Sequence, residues 1–181
     1  MDSFFDNILQ IDTRAGTFLI RPVEPEDAPF LRDLIIDTLG EYGATGGGFA
    51  SSDSDTRDMY AAFQREGRRY YAVAKMEDQR LKTKDVVGGG GIAPLPGEPG
   101  TCELVKMYFR PGIRGLGLGK RLLSHCLDAA RALGYRRIYL ETLQNMHEAR
   151  GLYEHLGFRQ IPGPCGQTGH FGCDTFYARD L

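Results

Sequence analysis

Arg114-Gly115-Leu116-Gly117-Leu118-Gly119-Lys120 constrains this chain more than any other stretch. Glycines alternate there, an arginine precedes them, a lysine follows, and an amphipathic helix begins at once. Backbone N–H groups at a helix start attract anions, and glycine lets a phosphate approach them with no Cβ in the way. The fold must therefore bring a strand, a tight turn and a helix N-terminus around something that carries phosphate or pyrophosphate.

The surrounding pattern supplies the rest of an α/β domain. Thr17 to Arg21 reads as a first strand, and the acidic run with prolines from Pro22 to Asp27 suits the start of a helix. Phe30, Leu31, Leu34, Ile35 and Leu39 then recur at helical spacing, up to Gly40. Residues 43–54 are rich in glycine and serine; they read as a lid over a substrate or as a plain solvated connection. A helix is expected over 56–66, followed by strands at 70–74 and 85–88 joined by a turn around 77–79. A meander through 92–95 and a loop at 96–100 lead to the strand 103–109 and so to the glycines.

Beyond them Leu118, Leu122, Leu123, Cys126, Leu127, Ala130 and Leu133 trace one apolar helix face, closed by Gly134. A strand at 137–142 follows, then a helix from Asn145 to Gly157 with Asn145 and Glu148 at capping-box spacing. Two short strands, 158–161 and 171–177, complete the chain. We expect one domain over 1–181, with residues 1–16 as an N-terminal extension and a core from about residue 17. Its sheet should be mixed, mostly antiparallel and six- to seven-stranded, with helices on both faces.

Two common phosphate motifs fail. A Walker A loop needs a glycine where Arg114 stands and a hydroxyl where Arg121 stands. A dinucleotide fingerprint needs G-x-G-x-x-G in a βαβ unit, whereas this chain offers G-x-G-x-G after an antiparallel meander. What remains is [Q/R]-x-x-G-x-[G/A], satisfied by Arg114, Gly117 and Gly119. With Ile20-Arg21-Pro22, Asp27-Ala28 and Leu152-Tyr153-Glu154-His155-Leu156-Gly157-Phe158, the chain resembles the GNAT superfamily of acetyl-coenzyme A-dependent N-acetyltransferases. The resemblance runs from about Thr17 to the C-terminus and is densest from Cys102 to Phe158. Segments 103–108, 139–142 and 168–171 are similar to a bacterial subgroup of undefined substrate.

The resemblance implies acetyl-coenzyme A as co-substrate, in a V-shaped cleft where two strands part. The backbone of Gly115, Leu116, Gly117, Leu118, Gly119 and Lys120 would hold the pyrophosphate, with charge from Arg114 and Lys120. Each such N–H contact to a charged oxygen contributes on the order of 1.5–3 kcal/mol. The backbones of Met107, Tyr108 and Phe109 would meet the pantetheine arm, and the Met107 N–H would face the thioester oxygen. Tyr153 would protonate the departing thiolate, although a core tyrosine with its hydroxyl at the rim fits the same pattern. Asn145 would cap its helix or touch the pantetheine arm.

Glu103 is the candidate base, set early in an otherwise apolar strand; a partly buried carboxylate has a raised pKa and accepts a proton. The plain alternative is pairing with a basic neighbour, and Glu141 or water could replace it as base. His125, His147 and His155 read as solvated or rim-facing, whereas His170 stands where family members build acceptor pockets.

Composition narrows partners. The net charge of −2 steers the chain toward neither nucleic acid nor anionic lipid. No apolar run approaches the roughly 20 residues that span a bilayer, and the acidic start MDSFFDNILQ is no secretory signal. A cytoplasmic location follows as the expectation. Cys102 and Cys126 read as small buried hydrophobes, and Cys165 and Cys173 around His170 match no common zinc spacing, so no metal is expected. The acceptor would be a small-molecule or peptide amine; a homodimer is compatible with the sequence. Alternatives are a coenzyme A-binding sensor without chemistry, and O-acyl or longer-chain transfer.

Overall fold

Alternation along one central strand organises the molecule: Tyr70 and Ala72 face one core, Tyr71 and Val73 the other. The structure, a computed structural model, describes residues 7–76 and 86–181. In chain order it contains β1 (Leu9–Thr13), β2 (Gly16–Pro22), α1 (Ala28–Glu41), α2 (Ser54–Arg57), α3 (Met59–Phe63), β3 (Arg69–Lys75), β4 (Val86–Pro94), β5 (Thr101–Phe109), α4 (Leu118–Ala132), β6 (Arg137–Thr142), α5 (His147–His155), β7 (Arg159–Ile161) and β8 (Thr175–Asp180). The turn expected at 77–79 and the strand start at Asp85 lie outside the described residues.

All the strands join one sheet in the order β1-β2-β3-β4-β5-β6-β8-β7, antiparallel everywhere except between β5 and β6. On one face Leu118, Leu122, Leu123, Cys126 and Leu127 of α4 pack on Phe18, Tyr71, Val73 and Ile92. On the other, Leu31, Leu34, Ile35 and Leu39 of α1 pack with Tyr70, Ala72, Ala93 and Val105. The start of α1 is tied to β2 by a buried ion pair: Arg21 Nη1 and Nη2 donate to Asp27 at 2.6 and 2.9 Å. A lone buried charge there would cost about 3–5 kcal/mol.

Several expectations are corrected. The sheet has eight strands because part of the supposed extension 1–16 forms β1: Leu9 and Ile11 turn onto the α4-side core and pair in register with Ile20 and Phe18. The helix expected over 56–66 is two short helices, broken where Asp58 adopts φ −144°, ψ 87° and caps α3 by accepting from the Ala61 N–H at 3.0 Å. The last strand begins at Thr175, not Phe171, which is 84% exposed.

Strands expected at 85–88 and 92–95 are one strand, β4, running through four glycines. Packing requires those glycines. A Cβ at Gly88 would strike Phe109, one at Gly89 would meet Tyr70, and one at Gly91 would run into the Arg69 carbonyl. Bulky side chains from both neighbouring strands thus fill the space over β4.

β5 and β6 pair only from Thr101 to Glu103 against Arg137 to Tyr139; beyond that they part from each other, β5 staying on β4 and β6 on β8. A bulge at the same level bends β5. Opposite Gly89 to Gly91 the register shifts, and Lys106 takes φ +51°, the one positive value outside glycine among the described residues. The parted strands open the cleft that carries the site.

Candidate active site

The cleft encloses about 770 Å³ and reaches from the parted strands to the start of α4. Its glycine end is the turn that precedes α4. Gly115, Gly117, Leu118, Gly119 and Lys120 line it, and Gly117 is the helix N-cap in a left-handed conformation at φ +80°. Nothing stands within 4 Å of the place where a Cβ on Gly115 or Gly117 would sit, so the backbone of the turn is open to close approach. Leu116 turns away and packs against the core.

Arg114 also lines the cleft, but its guanidinium is engaged: Nε donates to the Phe109 carbonyl at 2.9 Å, and Nη1 and Nη2 donate to Glu41 at 2.7 and 3.0 Å. Lys120 Nζ lies 3.3 Å from His155 Nε2 at the rim.

Met107, Tyr108 and Phe109 line the wall made by β5. Tyr153, on α5, faces the same space. Its ring lies 6.0 Å from Phe158 and 6.1 Å from Tyr177, and burial pushes its phenol well up. Among the described residues no group hydrogen-bonds its hydroxyl. Asn145 is placed otherwise. Met146 caps α5, and Asn145 Nδ2 donates to the Tyr42 carbonyl at 3.3 Å beside a smaller depression. The expected capping role is therefore corrected: the helix starts two residues later, at His147.

On the far side from the glycines, charged groups from four segments meet. Burial pushes the Glu103 carboxyl up to about 7, with His170 pulling it back and Glu141 adding to the rise. His170 Nδ1 lies 3.7 Å from Glu103 Oε1 and 3.9 Å from Glu141 Oε2. His170 Nε2 lies 3.0 Å from Asp53 Oδ2. Burial opposes charge on that imidazole, yet the Asp53 carboxylate holds its pKa above the ordinary value. Asp53 in turn accepts from Lys106 Nζ, and both partners lower its pKa against the effect of burial. Cys173 lines the cleft beside them, its thiol pushed up to about 12 by burial and by the two glutamates, so it stays protonated.

Asp53, Lys106, Thr168 and Cys173 were not singled out as site residues by sequence reasoning. A hint was the 43–54 segment, read as a lid over a substrate or as a plain connection: Phe49 and Ala50 line the cleft and Asp53 ties the segment to it. His125 is the opposite case. It is 5% exposed, edge-on to Tyr71 at 4.3 Å, and burial lowers its pKa. An expected surface histidine is a core residue, because α4 is apolar wider round its axis than the spacing of its leucines suggests.

The sequence model of the Acetyltransferase (GNAT) family matches residues 31–158. The chain belongs to the GNAT acetyltransferase family. Among its relatives is YjgM of Escherichia coli K12, described as an uncharacterised N-acetyltransferase, 40% identical over 165 residues that cover 90% of this chain and 95% of that protein. An L-methionine sulfoximine/L-methionine sulfone acetyltransferase of Pseudomonas aeruginosa PAO1 is 27% identical, over 83% of this chain and 84% of its own. The crystal structure of a GNAT acetyltransferase from Staphylococcus aureus Mu50 shares the fold with a TM-score of 0.77 at 20% identity, over 91% of this chain and 99% of that one. GNAT members transfer acyl groups from acetyl-coenzyme A, and this chain is an acetyltransferase of that kind.

Proposed function

We propose that this protein transfers acetyl from acetyl-coenzyme A to a primary amine by direct attack, with no acyl-enzyme. One observation carries the reading: a single cleft holds a glycine-lined helix N-terminus at one end, a buried carboxyl of pKa about 7 at the other, and a cleft-facing tyrosine on its wall. The backbone from Gly115 to Lys120 holds the pyrophosphate. Lys120 adds charge, and Arg114, fixed by Glu41, shapes the turn. The stretch of β5 from Met107 to Phe109, parted from β6, takes the pantetheine arm, and the Met107 N–H stabilises the thioester oxygen as it gains charge.

The protons balance. An ammonium acceptor first gives one proton to Glu103, and its freed lone pair attacks the thioester carbon. The carbon–sulfur bond breaks, Tyr153 protonates the thiolate, and the second proton leaving the nitrogen restores the phenol. Cys173 and the buried Cys126 are protonated thiols, which suits direct attack over a covalent intermediate.

Thiol release from acetyl-coenzyme A across a panel of amines, beside calorimetric binding of coenzyme A, tests this reading. Turnover on at least one primary amine is expected. Tight coenzyme binding with no turnover on any amine would overturn it and favour a sensor.

A further inference from the structure

With the His170 imidazole neutral and its Nε2–H on Asp53, three hydrogen-bond acceptors converge on the Glu103 side of the cleft. Glu141 uses its Oε1 fully, accepting from Tyr139 Oη and from Thr168 Oγ1, each at 2.8 Å. Its Oε2 has no hydrogen-bond partner, although the side chain is only 3% exposed and lines the cleft. Glu103 Oε1 lies nearby. With Nε2 of His170 directed at Asp53, its Nδ1 is left within 3.7 Å of Glu103 Oε1 and 3.9 Å of Glu141 Oε2.

A buried carboxylate oxygen without a donor is costly, so its persistence points to a donor brought from outside the chain. The ammonium of Lys106 is already committed to Asp53. Among the described residues no three His, Cys, Asp or Glu side chains are arranged to hold a metal ion. A hydroxyl brings one donor. A primary ammonium brings three, with a positive charge.

We propose that Glu141 Oε2, Glu103 Oε1 and His170 Nδ1 form a socket for the acceptor's primary ammonium, and that Glu141 is its charge anchor. This rests on the acetyl-transfer reading and narrows its acceptor to cationic, unsubstituted amines over alcohols. Glu103 takes the proton that leaves as the amine becomes a nucleophile, while Glu141 Oε2 holds a second N–H.

The socket also links acceptor binding to a proton. The groups facing His170 are Asp53 before α2, Glu103 and Lys106 on β5, Glu141 on β6, and Cys173 in its own loop. An imidazolium places its Nδ1 proton where the ammonium must sit, so the acceptor displaces that proton and binds more tightly as pH rises through the His170 titration.

Two measurements test the socket. The first follows the His170 imidazole nitrogens by NMR in the full chain saturated with coenzyme A, titrated with n-propylammonium chloride or with n-propanol. Propylammonium should lower the His170 titration midpoint and propanol should leave it in place; no response to propylammonium, or an equal response to both, overturns the proposal. The second is Glu141→Gln, which keeps the Oε1 contacts and removes the charge. It should raise the acceptor KM by about tenfold or more with the acetyl-coenzyme A KM unchanged, given the strength of hydrogen bonds to charged groups. An unchanged acceptor KM overturns the proposal. If Glu141→Gln does not fold, the NMR titration of the unaltered protein decides alone. Absence of thiol release with every amine, alongside a normal His170 response, would sink acetyl transfer and leave the socket standing.

Discussion

Tyr70 Oη donates to the carbonyl of Lys106 at 2.9 Å, pinning from beneath the one left-handed non-glycine residue among the described residues. Lys106 is pinned a second time by its own ammonium, which reaches Asp53. Backbone strain at such a residue persists only when its surroundings hold it, and here it turns β5 away from β6. Tyr70→Phe keeps the ring packed on Phe63 and removes only the clamp. The folded state should lose about 1–3 kcal/mol, the cost of orphaning a buried carbonyl. Chemical denaturation reads that loss, and if the Met107 N–H meets the thioester oxygen, kcat should fall with it. Unchanged stability would mean the bulge holds itself.

Gly91→Ala should be severe for a different reason. Its Cβ would meet the Arg69 carbonyl and the Tyr70 Cα, backbone atoms that cannot swing aside. The expected loss is on the order of 3 kcal/mol, as for a forced overpacking. Gly112→Ala, with nothing within 4 Å, is the control and should lie within about 0.5 kcal/mol of the parent. Equal melting of the two variants would show that β4 yields more easily than its packing implies.

These two positions show what was legible in the sequence and what was not. The glycine turn ahead of α4 was legible because its signal is local: glycines, flanking charge and an amphipathic helix lie within a few residues of each other. The apolar faces of α1 and α4 were legible for the same reason. The four glycines of β4 carry no strand signal of their own, since their meaning lies in Phe109, Tyr70 and the Arg69 carbonyl on neighbouring strands. The site behaves likewise. Glu103 could be singled out as a carboxylate in an apolar strand, but its partners Asp53 and His170 stand 117 residues apart in sequence. Only the close approach of the two loops, where the Gly172 N–H donates to the Gly48 carbonyl at 3.1 Å, brings them together.

The pH behaviour of Glu103 has a definite sign. Burial raises its carboxyl from 4.5 to about 7 in the folded protein. Between those values the folded state holds a proton that the unfolded chain has lost, so stability falls as pH rises through that window, by about 3 kcal/mol. His170, raised by Asp53, acts in the same direction: its contribution is full below its ordinary 6.5 and is lost as pH climbs through its folded value. Glu103→Gln should flatten the first of these slopes in denaturation curves taken from pH 5 to 8. It should also abolish the rise of kcat/KM toward neutral pH and lower the rate by about 10²–10⁴-fold, the usual worth of a general base. A variant that keeps the parent's pH–rate profile would transfer the role to Glu141 or to water.

Tyr153→Phe separates packing from proton transfer. The ring contacts to Phe158 and Tyr177 survive the change, and the lost hydroxyl has no hydrogen-bond partner among the described residues, so stability should stay within about 0.5 kcal/mol. If the phenol delivers the proton to the departing sulfur, kcat at neutral pH should fall by about 10²-fold or more while the acetyl-coenzyme A KM holds. The defect should shrink as pH climbs past about 8.5, where a free thiol begins to ionise in water and its anion leaves without protonation. Stopped-flow thiol release across pH 6.5–9.5 measures both. A defect of the same size at every pH would assign Tyr153 to positioning of the thioester, and a neutral-pH kcat equal to the parent's would leave it as a core aromatic.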